Sequence, residues 1–248
     1  MNAIRIASRL AICAGVLGLA ACTTRQPTLQ ETRNLELGVP AGSRFVIDAG
    51  SGPLELEGDG SARSIEVEAE IWQIEPNDGY TLSLETDGEG VARLISRHDS
   101  RIGMNADYIA LSIRVPESLD VRIDDGSGSI RVNGLSGDLD IEDGSGSIRV
   151  SATGGDVIVD DGSGSLTAED IGGSLSIRDD SGSITLDDIG GDVTIDDGSG
   201  SITVRNVGGV VSVSDGSGSI TVDGAEDFEL RDDGSGSVNL DNIRSRRP

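Results

Sequence analysis

From residue 120 onward, short runs of alternating apolar and polar residues recur at a fixed interval. Aligned on the serine of Gly-Ser-Gly or its equivalent, Ser127, Ser145, Ser163, Ser181, Ser199, Ser217 and Ser235 stand 18 residues apart. Three and five places later come apolar pairs: Ile130 and Val132, Ile148 and Val150, Leu166 and Ala168, Ile184 and Leu186, Ile202 and Val204, Ile220 and Val222, Val238 and Leu240. Alternation with period two predicts a strand with one buried face. A second pair follows at twelve and fourteen places, as in Leu139 and Ile141 or Val193 and Ile195, so each copy holds two strands. Between them stands one apolar residue, seen as Leu135, Ile171, Ile189, Val207 and Ile243, mostly before Gly-Gly or Ser-Gly; the other corner reads Asp-Gly-Ser-Gly-Ser. Glycine supplies the positive φ that such arcs demand.

Two strands and two arcs in 18 residues make one coil, and identical coils stack in register about 4.8 Å apart. The chain is therefore expected to be all-β, a parallel β-solenoid (β-helix-like, two short strands per coil) over residues 121–243, with a β-rich N-terminal cap over 35–120. In the sixth copy Phe228 and Leu230 come one residue early and Arg231 takes a nominal core place, which predicts a bulge that restores register at Asp233. Within the cap segment, Phe45, Ile47, Gly50-Ser51-Gly52, Leu54 and Leu56 match a coil before longer alternating runs begin. Solenoids need atypical ends, because an open end exposes core and strand edge. Trp72, Tyr80, Met104 and Tyr108 are candidates to line a site there.

The first residues set an address. Met1–Arg9 carries two Arg and no acid, Leu10–Leu19 is an apolar run, and Leu19-Ala20-Ala21-Cys22 follows. This is a secretory signal, too short to span a bilayer. Ending on Cys22, it resembles a bacterial lipobox, which implies a signal peptide over 1–21, lipid such as palmitate on Cys22, and a tether over 22–34. Two or three acyl chains anchor a protein stably to a membrane. Thr23, where similar lipoproteins retained at the inner membrane have Asp, favours the outer membrane; whether the protein faces the periplasm or the cell surface stays open. Cys13 leaves with the leader, so no thiol remains for a disulfide or catalysis. Residues 244–248 form a basic tail.

Composition narrows the picture further. Aromatics make up 2% of 248 residues, so the core must be thin and aliphatic. All 19 basic residues are Arg against 44 acids, for a net charge of -25. Such a surface repels nucleic acid and keeps stacked strands soluble, while it can attract cations or basic partners.

Asp stands two places before the aligned Ser in every copy: Asp125, Asp143, Asp161, Asp179, Asp197, Asp215 and Asp233. At rung spacing, neighbouring carboxylates repel by about 0.9 kcal/mol in water. One offset is an Asx-type turn, each carboxylate accepting N–H bonds from its own arc. The other is a row of Ca²⁺ ions, since hard cations take six to eight oxygens. The coil is similar to the calcium β-roll, although that family places Asp after its glycines and this chain places it before. A second array, Thr167, Thr185, Thr203 and Thr221, alternates with Ser165, Ser183, Ser201 and Ser219 in outward rows that could meet a glycan. Thr also simply suits an exposed strand. His98, the one histidine, sits in a polar stretch and is expected in an exposed loop. No nucleophile, dinucleotide or zinc motif is present, so no enzymatic activity is expected.

The repeated Gly-Ser-Gly-Ser-Ile-x-Val with Gly-Gly-Asp-Val-x-Ile-Asp-Asp resembles a bacterial β-strand-repeat lipoprotein family of proposed adhesins, a domain of unknown function, over roughly residues 40–243. The resemblance implies the fold and supplies no catalytic or binding residues. Expected partners are the membrane, through the lipid, and an envelope polysaccharide or protein. The expectation is a non-enzymatic, membrane-anchored module presenting a repetitive surface, with a calcium-binding β-roll-like module or a purely structural envelope component as alternatives; the oligomeric state stays open.

Overall fold

The computed structural model describes residues 7–9, 25–40, 42–87, 90–98 and 107–245. Among them the chain is all strand and turn, and the repeat closes into a parallel β-solenoid. Strands following the Gly-Ser-Gly corner, such as Gly146–Thr153, Gly164–Ile171 and Gly182–Ile189, form one ladder in which every residue faces its counterpart 18 positions on. Leu139–Asp143, Val157–Asp161 and their successors form the second ladder in the same register. The columns facing inward are mainly Ile, Val and Leu, nearly all completely buried; among the described residues Phe45 is the one fully buried aromatic ring. Two sheets this close leave room for branched aliphatic side chains and little else.

Each coil also has a short third side. Leu135, Thr153, Ile171, Ile189, Val207 and Ala225 stack there, all buried. Thr153 and Ala225 hold the place in the two copies where the alternation showed no large apolar residue. The residue before each takes a left-handed conformation, with φ of 51° at Ala152, 56° at Asp170, 57° at Asp188 and 53° at Asn206. At the opposite corner Gly164 has φ of 147°, and a Cβ there would lie 1.6 Å from the carbonyl oxygen of Gly146 in the rung below. Stacking contact, as well as backbone conformation, therefore requires glycine at this corner.

The bulge forms as expected. Val211 pairs with Phe228 and Val213 with Leu230, then Ser214 pairs with Asp232, so Arg231 is the extra residue and its side chain is exposed.

Residues 44–59 stack as a full rung: Phe45 lies beside Val121, Leu54 beside Ile130, and Ser51 bridges Ser127. Upon it sit Ala92–His98, parallel to Arg44–Ala49, and Tyr108–Pro116, parallel to Leu54–Asp59. The pairing then turns antiparallel. Ser64–Gln73 lies between Tyr108–Pro116 and Thr28–Gly38, while Tyr80–Thr86 folds back on Ala92–His98. Within the segment expected as a tether, 22–34, Thr28–Asn34 is strand, paired with Glu68–Gln73. Cys22 and Met104 lie outside the described residues, as does the segment 1–21 expected to be a signal peptide, except Ala7–Arg9, which pairs antiparallel with Thr32–Asn34. At the far end the last coil leaves Leu230 and Leu240 39% and 38% exposed.

Candidate functional site

The sequence points to two arrays, and the structure places them on opposite sides of the coil wall. Thr167, Thr185, Thr203 and Thr221 line up in register on the outer face of the first ladder, half-exposed, with exposed Ser165, Ser183, Ser201 and Ser219 alongside. The aspartates point the other way. Asp125, Asp143, Asp161, Asp179, Asp197 and Asp215 are between 1% and 6% exposed and run as one file inside the Gly-Ser-Gly corner. Asp233 continues the file along the backbone, paired with Asp215. Below Asp125 the file gives way to Ala49 and then to Ser96, both buried.

The Asx-type turn is present. The N–H groups of Ser145, Ser163, Ser181, Ser199 and Ser217 donate to the Oδ1 atoms of Asp143, Asp161, Asp179, Asp197 and Asp215 at 2.9 to 3.2 Å. The second oxygen of Asp143, Asp161, Asp179 and Asp197 is buried with no hydrogen-bond partner, and at Asp125 both oxygens are buried with only the Gly126 and Ser127 N–H groups of its own turn close by, outside good hydrogen-bond geometry. Burial pushes these carboxyls up, with further help from neighbouring carboxylates at Asp125, which reaches about 7, and at Asp161 and Asp197, which reach about 6. Asp143 and Asp179 move upward as well, through burial. Among the described residues, no three or more His, Cys, Asp or Glu side chains come together as a metal site.

A second, exposed aspartate column ties rung to rung at the Gly-Gly corner. Asp120, Asp138, Asp156 and Asp192 accept the N–H groups of Asp138, Asp156, Ser174 and Val210 respectively, each 18 residues on. Arginines bridge rungs on the outer faces: Arg122 pairs with Asp140 and Glu142, and Arg149 with Glu169.

One concave feature lies where cap and solenoid meet. Five strands of the first sheet present their outer face as a trough of about 930 Å³. Two rows cross it in register, Glu36–Glu66–Arg114–Glu57–Asn133 and Asn34–Glu68–Ser112–Glu55–Arg131. Further along the same strands Trp72 and Tyr108, adjacent across the pairing, point to the same outer face, because Ile71, Gln73 and Ile109 on either side of them are buried. Their rings stack with centroids 5.7 Å apart and planes 8° from parallel, and the Trp72 Nε1–H donates to Glu70 at 3.2 Å. Alternation alone predicts which face these residues take; it cannot show that five strands from distant segments make one surface.

Tyr80 turns toward the strand Thr28–Gly38, donating its hydroxyl to Glu31 with Arg33 over its ring. His98 is not in an exposed loop. It ends the strand Ala92–His98, half-buried beside the Tyr80 ring at 5.7 Å, because the cap hairpin carries it there.

No family model and no curated protein sequence matches the chain. Among solved structures it is similar to a proposed cell adhesion protein from Clostridium sporogenes, with a TM-score of 0.37 and 10% identity over 87% of this chain and 99% of that one. It is also similar to a proposed adhesin from Bacteroides fragilis, with a TM-score of 0.47 and 13% identity over the same shares.

Proposed function

We propose that this chain is a non-enzymatic lipoprotein, anchored through lipid on Cys22 to the outer membrane, that acts as an adhesin-like module holding an envelope polysaccharide on the outer face of its first sheet. The trough and the Trp72–Tyr108 pair further along the same strands carry the reading. In a chain with one Trp and two Tyr, the Trp and one Tyr stand together on a solvent-facing sheet rather than in the core. An aromatic face packs on the C–H side of a sugar ring, while the Glu, Asn and Ser side chains of the trough accept and donate hydroxyl hydrogen bonds. The Ser and Thr rows extend the same face along the rod, in step with a polymer rather than a small molecule. Carboxylates in the trough favour neutral or amino-bearing glycans over acidic ones.

The test is binding of the leaderless chain, starting at Thr23, to neutral, amino-bearing and acidic envelope polysaccharides. Trp72→Ala and Tyr108→Ala are each expected to weaken binding about tenfold or more, since aromatic anchors dominate such surfaces, with the melting temperature monitored in parallel. Equal binding by the folded variants sinks the proposal. For the anchor, Cys22→Ser is expected to abolish palmitate labelling and release the protein from membranes; persistent label on the Ser variant overturns that part.

A further inference from the structure

We propose that the buried aspartate file is a proton-binding site: the carboxyls of Asp125, Asp143, Asp161, Asp179 and Asp197 take up protons between neutral and mildly acidic pH, and the solenoid is held more firmly in mild acid than at neutrality. The geometry carries this. An ionised carboxylate can accept about four hydrogen bonds. In Asp143, Asp161, Asp179 and Asp197 one oxygen has a serine N–H and the other has nothing, in side chains at most 6% exposed. Asp125, resting on Ala49, has nothing at either oxygen beyond the poorly aligned N–H groups of Gly126 and Ser127 in its own turn. A charge so poorly solvated costs free energy, and the next rung adds a like charge.

Two ligands could relieve that cost, a cation or a proton. The carboxyls of the file are between 1% and 6% exposed, so a hydrated ion would have to open the corner to reach them. A proton needs no space. Bound at the unpartnered oxygen, it converts carboxylate to carboxylic acid, removes the charge, and leaves Oδ1 free to accept the serine N–H.

The surroundings do not supply the missing positive charge. Along the file each group faces other aspartates, except that Asp125 has Ala49 on its cap side. On the outer side of the same strands stand Asp124, Glu142, Asp160, Arg178 and Asp196, and Asp180 follows Asp179; Arg178 is turned to Asp196 at 3.8 Å. The inward residues of the facing strands, Ile130, Ile148, Leu166, Ile184 and Ile202, are apolar.

The upward shifts of these carboxyls set the pH window. An unfolded Asp titrates near 3.9, so between about pH 4 and pH 7 the folded chain holds more protons than the unfolded one. With Asp125 near 7 and Asp161 and Asp197 near 6, the excess is about two protons at pH 6. Stability from this source is complete below about pH 4 and is lost as pH rises through 6 and 7, the reverse of ordinary acid denaturation.

Thermal and urea unfolding of the full chain, with EDTA present, should show a midpoint at pH 5 several degrees above that at pH 8. Asp161→Asn with Asp197→Asn keeps both turn acceptors but cannot titrate. This variant should melt higher than wild type at pH 8 and lose about half of the pH dependence, whereas Asp160→Asn with Asp196→Asn, on the exposed side, should keep all of it. A role confined to the turn predicts no difference in pH dependence between the two variants. Carbon-13 carboxyl titration of wild type provides a check that needs no variant: at least three Asp midpoints above 5.5 support the site. Midpoints all below 4.5, a wild-type stability that falls steadily from pH 8 to pH 5, or several calcium ions bound per chain with the midpoint restored by calcium at pH 8 would each overturn it.

Discussion

Thr153 lies under Ile171 in the third-side column, 1% exposed, and its hydroxyl has no hydrogen-bond partner. Leaving such a group unsatisfied costs about 1–3 kcal/mol, and Val has the same shape without the hydroxyl. Thr153→Val is therefore expected to stabilise the chain by about 1 kcal/mol, or about 2–4 °C in a protein of this size, read by differential scanning calorimetry. No gain would mean that the hydroxyl finds a partner in solution. The inward turn of the aspartates was legible at this same scale: Leu139, Ile141 and Asp143 sit two apart, so one face holds all three. It was obscured by the expectation that carboxylates stay in water. Likewise Gly134, Asp170, Asp188, Asn206, Gly224 and Asn242, all with positive φ, are residue types that tolerate a left-handed backbone. Only Ala152 breaks the pattern, and nothing in its type announces the turn.

Within a strand, neighbouring residues belong to different worlds. Ile184 is completely buried between Leu166 and Ile202, while Thr185 stands on the outer row. Ile184→Asp is expected to cost more than about 4 kcal/mol, enough to unfold a marginal stack, because an unpaired charge enters a core shared by three rungs. Thr185→Asp should stay within about 1 kcal/mol. Comparable losses of melting temperature for the two would mean the faces are reversed. The period of the repeat made every solenoid strand legible, including the bulge at Arg231, because parallel in-register pairing gives each rung a single possible neighbour. The cap was legible only as strands. Alternation in Ile65–Ile71 or Ile109–Val115 reports a buried face but not a partner, and here the antiparallel partners are up to 48 residues away. The trough, which depends on those partners, was therefore out of reach, although Trp72 and Tyr108 themselves were recognisable as candidates.

On the scale of the molecule, each rung touches only the rungs beside it, so length is a free variable. Removing residues 163–180 joins Gly162 to Ser181 and leaves the repeat in phase. The shortened chain should fold with one rung fewer, keep its circular dichroism per residue, and lose only a few degrees of melting temperature. Removing nine residues instead should prevent a native stack, since it carries a corner into the place of a strand; a native-like melt for that deletion would contradict the in-register architecture. The same interchangeability has a cost during folding. Between the cap and the bulge at Arg231, one rung is nearly as good a neighbour as the next, and a chain that skips a rung forms almost every contact it should while throwing 18 residues out as a loop. The irregular strands at one end and the single extra arginine at the other are the two landmarks by which a folding chain can count its turns.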